Sequence, residues 1–277
     1  MTGTATSNNV LVFSIAVNGY QQLYRRNLAS HQQYADGHGY HYQCVQQPRL
    51  SHLGKEAVWL KVALMIKALQ RGYRWVMYVD ADAYIGADTP DLCQLQRPDK
   101  YLYVAKGFSG RLNSGVLIVN NSRCVIDYFQ QALRHAHMPL PPADDVGWGE
   151  NGHLIYFAHQ QPFVCFIDKR WNNNTSADLD DYIRHYSRGP LYHLHRANLT
   201  DRLRFRLYHY GCFLVKVWTR IAHRLARTKP QSLQVEIDQL VTRVERHYDC
   251  FSHPSRPTNQ STYSAAPSSK SRLWEQQ

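Results

Sequence analysis

Apolar residues gather in short runs separated by stretches of helical spacing. The run VLVFSIAV, residues 10 to 17, is β-branched and closes on Asn18-Gly19, which predicts a buried strand and its loop. Residues 20 to 34 follow with helical spacing, and Gly37 and Gly39 close them. YHYQCV at 40 to 45 reads as a second strand, and residues 54 to 73 form the clearest helix. Its apolar face carries Val58, Val62, Met65, Ile66 and Leu69, and Gly72 is its stop. WVMYV, 75 to 79, is the third strand. Further strands are expected at 101 to 106, 114 to 121, 162 to 167 and 190 to 195, with helices at 122 to 136 and 150 to 160 around a Pro-rich loop. Strands alternating with helices imply right-handed crossovers and a mainly parallel sheet covered on both faces. In such sheets ligands bind beyond the carboxyl ends of the strands.

From Asp201 to Thr228 the character changes. Leu203, Leu207, Tyr210, Leu214, Val217, Trp218, Ile221 and Leu225 recur at steps of three and four, interleaved with Arg and Lys. This predicts a basic amphipathic helix that Pro230 ends. Its apolar face could pack on the rest of the chain, lie on a membrane with its cations at anionic headgroups, or form a dimer interface. A second amphipathic helix is expected at 231 to 248, and the Ser/Pro/Gln-rich end from 251 reads as disordered. The expected organisation is a main domain over 1–200, a helical extension over 201–250 and a tail over 251–277.

Composition narrows the function classes. A hydrophobic fraction of 44% belongs to a folded protein, and a formal net charge of +11 points to an anionic partner. The six cysteines are scattered with no C-x-x-C pair, which argues against structural zinc and fits a reducing compartment. The polar start MTGTATSNNV and the lack of a long apolar run predict no signal peptide and no membrane span. The expected location is cytoplasmic, peripheral to the inner face of a membrane. No zinc finger, helix-turn-helix or RNA-recognition signature accompanies the charge, so nucleic acid is not an expected partner.

The chemistry centres on RWVMYVDADAYIGADTP, 74 to 90, where an apolar strand runs directly into Asp80 and Asp82. In an extended segment residues i and i+2 face the same way, so two carboxylates meet with Ala81 between them. A divalent cation relieves their repulsion, and hard oxygen ligands suit Mn2+ or Mg2+, which would complete its shell with diphosphate oxygens. Acid-base work would call for separated carboxylates in different environments. A phosphatase of the haloacid-dehalogenase type would continue D-x-D-x-T, where Tyr84 stands instead.

Residues 10 to 200 resemble nucleotide-diphospho-sugar transferases with the GT-A fold, especially glycosyltransferase family 34. The resemblance rests on three elements in order: Tyr34 to Tyr40, similar to Y-A-x-x-H-G-Y; Trp59 to Lys61 in a W-x-K helix; and Asp80 to Asp82 after the strand. RLNSGVLIVNNS, WGENGHLIYFA, FIDKRWNNN and PLYHLH are similar to later elements of the family. The resemblance implies an α/β, Rossmann-like domain with helices on both faces of its sheet, plus a C-terminal helical appendage. It implies donor contacts at Ser14, Ala16, Lys61, Asp80, Ala81, Asn113, Ser114, Trp171 and Asn172. Glu150 and Asn151 would stand near the reacting sugar, and His193, with His195 as the alternative, would join Asp80 and Asp82 on the metal. Relatives commonly have D-Q where Glu150-Asn151 stands. They often carry a Gly-rich segment after the late His, where this chain reads RANLTDR, so Arg196 could face a phosphate.

The implied activity is metal-dependent transfer of a hexose or pentose, from a UDP-sugar in preference to a GDP-sugar, to a glycan or lipid-linked acceptor with retention. The alternative is a non-catalytic protein that binds a sugar nucleotide or an anionic surface.

Overall fold

A computed structural model describes residues 9–49, 53–147, 149–187, 189–196, 198–225 and 231–252. The Ser-rich end from 253 and Trp148 lie outside the described residues, as does the side chain of Arg196.

Strands β1 (Val10–Ile15), β2 (His41–Val45), β3 (Trp75–Val79), β5 (Leu102–Val104), β6 (Val116–Asn120) and β7 (Val164–Phe166) form one sheet in the order β2-β1-β3-β6-β5-β7. A separate ribbon pairs β4 (Ala83–Ile85) with β8 (Ile183–His185). The helices are α1 (Tyr20–Leu23), α2 (Arg25–His38), α3 (Glu56–Arg71), α4 (Arg123–Arg134), α5 (Asn151–Ala158), α6 (Leu199–Leu225) and α7 (Leu233–Glu245).

Period-2 alternation sends each strand's side chains to two cores. Leu11, Phe13, Val76 and Tyr78 meet α3, α4 and α7 on one face, and Val10, Val12, Met77 and Val79 meet Tyr34 and Ala35 of α2 on the other. With both faces covered, the central strands are apolar throughout, which is why they read as continuous runs. Left-handed glycines stop the helices that feed them: Gly39 at φ 68° ends α2 and Gly72 at φ 105° ends α3.

The sheet is mostly parallel, as expected, with β1 parallel to both β2 and β3. β6 runs antiparallel to β3 and to β5. The link from β5 to β6 is too short for a crossover helix and folds back on itself through the antiparallel bridge Lys106↔Leu112.

One local expectation needs correction. Residues 190 to 195 are not a strand: they form a turn running into the 3-10 turn Leu194–Arg196. The strand that does form is β8, three residues whose Ile183 and His185 point inward around Arg184. Three residues are too few to register as a period.

The two late helices have different surroundings. α7 buries Ile237, Leu240, Val241 and Val244 in the larger core, Lys67 of α3 pairs with Glu245 at 2.8 Å, and Phe251 meets Phe13 edge-on at 5.4 Å. The segment from 233 to 251 therefore packs as part of the main body. α6 touches the body through Phe205 against Tyr24 and Tyr208 against Tyr20, with ring centroids at 5.7 and 5.5 Å.

Candidate functional site

β3 ends at Val79, and the turn after it is fixed by the backbone. Asp80 N–H donates to Gly115 O, Ala83 N–H to Asp80 O and Tyr186 N–H to Asp82 O. The chain then enters β4, whose pairing sets Ala83 opposite His185. Ribbon pairing thus delivers an imidazole to the two carboxylates. His185 Nε2 lies 3.2 Å from Asp82 Oδ1 and 3.6 Å from Asp80 Oδ2, and one ligand atom from each residue falls within 4.8 Å of the others.

The protonation of this histidine can be read from its neighbours. Asn172 uses its Nδ2 to donate to Asn113 O and Oδ1, both at 3.1 Å, so its Oδ1 faces His185 Nδ1 at 2.9 Å. Nδ1 therefore carries a proton, and Nε2 is the ring nitrogen that faces the carboxylates. Nε2 is buried and satisfies no hydrogen bond, its approach to Asp82 being short in distance but wrong in angle. An orphaned imidazole nitrogen beside two carboxylate oxygens is the donor set of a divalent cation, so these residues fit one.

Charge is balanced closely around the trio. Burial pushes the Asp80 carboxyl up more than Lys61 pulls it down. Burial also works against the Asp82 carboxylate, but His185 outweighs it and holds that carboxyl below its usual range. Burial disfavours the His185 imidazolium, and Asp82 and then Asp80 outweigh burial to raise its pKa. Lys61, on α3, is buried too, yet Asp80 and Glu150 hold it charged. Its Nζ reaches Glu150 Oε1 at 2.6 Å, Asp80 Oδ1 at 3.8 Å, and Ser114 O and Oγ at 3.2 and 3.1 Å. Ser114 Oγ donates to Glu150 Oε1 at 2.8 Å, and Ser114 N–H donates to Asn151 Oδ1 at 2.9 Å. The start of α5 is thereby tied to the entry of β6.

These groups form the floor of a cleft of about 1110 Å³ beyond the carboxyl ends of β1 and β3. That is slightly above the roughly 300–1,000 Å³ usual for small-ligand sites, room for an extended ligand. Tyr208, His209, Cys212, Phe213 and Lys216 of α6 make its opposite wall.

No protein-family model and no curated protein matches the chain. Among solved structures, a glycosyltransferase involved in glycosylation of the major capsid of PBCV-1 superposes over 68% of this chain and 97% of its own, at TM-score 0.54 and 13% identity. The fold is the GT-A fold of glycosyltransferases. Apo-form GlyE of Streptococcus pneumoniae covers 84% of this chain and 63% of its own (TM-score 0.48, 14% identity). The galactosyltransferase LgtC, solved with donor and acceptor sugar analogues, covers 65% and 87% (TM-score 0.44, 13% identity).

Within this GT-A frame, Lys61, Asp80, Ala81, Asp82, Asn113, Ser114, Glu150 and Asn151 all line the cleft. Four residues expected at the donor do not. Ser14 is fully buried, its Oγ 2.8 Å from His31 Nδ1, and Ala16 packs against Tyr24, Leu28 and Ala81. Trp171 is buried in the α2-side core, edge-on to Tyr182 at 5.4 Å. Asn172 is buried behind His185 and acts by orienting it. The histidine at the aspartates is His185 rather than His193, which is exposed on the turn after Pro190. The alternative, His195, packs among Tyr24, Tyr186 and Phe205, edge-on to the last two. The family resemblance favoured His193 because PLYHLH is similar to a late His-bearing strand, whereas His185 sits in YIRHY, whose only signal is the alternation of Ile183 and His185.

Proposed function

We propose that this protein is a metal-dependent glycosyltransferase, moving a hexose or pentose from a nucleotide-diphosphate sugar to a glycan or glycolipid acceptor. The observation that carries the reading is the unsatisfied His185 Nε2 between Asp80 and Asp82 on the floor of a GT-A cleft. Asp80, Asp82 and His185 would hold the cation, Mn2+ in preference to Mg2+ because an imidazole nitrogen makes the set softer than an all-oxygen one. When bound, the metal supplies positive charge that stabilises the departing diphosphate. In the transfer the bond from the anomeric carbon to diphosphate breaks, a bond to an acceptor hydroxyl oxygen forms, and the acceptor proton passes to the diphosphate.

The chain's own groups have distinct parts. Lys61 keeps a buried positive charge beside the carboxylates, which favours the anionic donor in the cleft. Asn113 and Ser114 present polar atoms at the entry of β6, where the absent side chain of Gly115 makes room for the His185 ring. Glu150 and Asn151 border the place of the reacting sugar. Glu150 Oε1 is already engaged by Lys61 and Ser114 rather than offered to an acceptor hydroxyl, which favours retention over a base-assisted inverting attack. A UDP-sugar is the preferred donor, following the family resemblance.

The test is calorimetric titration with UDP and with GDP, each with Mn2+ and again with chelator. Metal-dependent binding of UDP is expected, and Asp82→Asn should abolish it while circular dichroism stays unchanged. Full turnover by Asp82→Asn, or no nucleotide binding by folded protein, would overturn the assignment.

A further inference from the structure

α6 presents two faces. One packs Phe205 and Tyr208 against the body and lines the cleft with His209, Cys212 and Phe213. The other leaves Leu199, Leu203, Leu207, Tyr210, Leu214, Val217, Trp218 and Ile221 exposed, Trp218 by 73% and Leu207 by 62%. At about 100° per residue these positions fall in one continuous stripe of roughly 100°, along a helix about 40 Å long. A contiguous exposed apolar surface of this length on a folded chain marks an interaction site.

Charge identifies the partner. Exposed Arg202 and Arg206 border the stripe on one side, and exposed Arg204 borders it on the other. The whole helix holds six Arg or Lys and a single acidic residue, Asp201. A second copy laid on this face would bring like charges together. Residues 253–277 offer no apolar repeat to cover it and are themselves basic, with Arg256, Lys270 and Arg272 against Glu275. No described helix is long and apolar enough to cross a membrane, so a lipid partner would be met at its surface. An apolar stripe edged by cations with an exposed Trp suits the boundary between anionic headgroups and acyl chains.

We propose that α6 seats this protein on an anionic lipid bilayer, its apolar stripe inserted and its arginines among the headgroups. Because the same helix walls the cleft, the seat brings the cleft to the lipid surface, where a glycolipid acceptor is met. That last consequence rests on the glycosyltransferase reading; the seat does not.

The experiment is co-sedimentation of the full chain with vesicles of phosphatidylcholine alone and of phosphatidylcholine mixed with phosphatidylglycerol. Pelleting with the mixed vesicles is expected, falling about fivefold for each of Arg202, Arg204 and Arg206 replaced by Gln. The double variant Leu207→Glu/Leu214→Glu should stay in the supernatant. Neither leucine lines the cleft, so Mn2+-dependent UDP binding by that variant should equal that of the unaltered chain. The seat is refuted if folded protein ignores both vesicle types, or if the double variant pellets like the unaltered chain. It is also refuted if light scattering shows self-association that the double variant dissolves, which assigns the stripe to a second copy. Vesicle binding without nucleotide binding would retain the seat and sink the enzymatic reading, and the reverse result would do the opposite.

Discussion

Asn172→Ala tests the metal reading at a residue that would not itself touch the ion. The substitution removes the acceptor for His185 Nδ1–H at 2.9 Å and the two donor contacts to Asn113 at 3.1 Å. A buried N–H left without a partner costs about 1–3 kcal/mol, so the metal-free protein should lose about 2 kcal/mol in urea unfolding. Losing the group that orients a ligating histidine typically lowers metal affinity about 10- to 100-fold, or roughly 1.4–2.7 kcal/mol. Mn2+ affinity would be followed by electron paramagnetic resonance of the free ion. Asn172→Asp separates orientation from general damage: its carboxylate still accepts from Nδ1–H and makes the imidazole a better donor, although Asn113 loses its partner. It should hold Mn2+ at least as tightly as the unaltered chain. Mn2+ affinity within about twofold of normal in folded Asn172→Ala would refute the ligand role of His185, as would equal weakening by both variants.

Other outcomes follow from the same contacts. A Cβ at Gly115 would collide with the His185 ring, so Gly115→Ala should weaken Mn2+ binding by more than about tenfold, and unchanged binding would place the cation elsewhere. Burial lowers the pKa of His31 to about 4, despite its hydrogen bond with Ala83 O and the charge of Asp82. Between pH about 6.5 and about 4 the unfolded chain takes up a proton there that the native state does not, so stability should fall with pH by up to about 3 kcal/mol. His31→Gln should flatten that part of the urea-midpoint profile, and an unaltered slope would contradict the assignment. Ile237→Ala, in the larger core, should cost about 2–5 kcal/mol, whereas Leu207→Ala on the exposed stripe should change stability by less than about 0.5 kcal/mol. Similar losses at the two positions would show that α6 is packed after all.

Asp80 and Asp82 were legible in the sequence because they follow a five-residue apolar run, and a buried strand in a wound sheet has its ligands at that end. Lys61 was legible because it follows Trp59 on a helix whose apolar face was unmistakable. The remaining features depend on pairings that no local pattern encodes. His185 reaches the aspartates only through β8, and Ser14 lies at the end of a strand that looks exposed to ligand until His31 covers it. For α6 the periodicity revealed an apolar face but not its orientation. The aromatic contacts at Phe205, Tyr208 and their partners on the body decide that, and they leave the leucines outward.

The ribbon of β4 and β8 makes completeness of the chain's path a condition for the cation site. Ala83 and its partner His185 are separated by most of the chain's chemistry-bearing sequence, so two of the three ligands are in place long before the third can be recruited. Closing so long a loop is slow and entropically unfavourable, and the ribbon's three residue pairs contribute little on their own. A chain whose β4 and β8 had not yet paired would hold two aspartates with no imidazole to complete them. Metal uptake is then a report on topology: it registers the moment at which β8 has come back to β4.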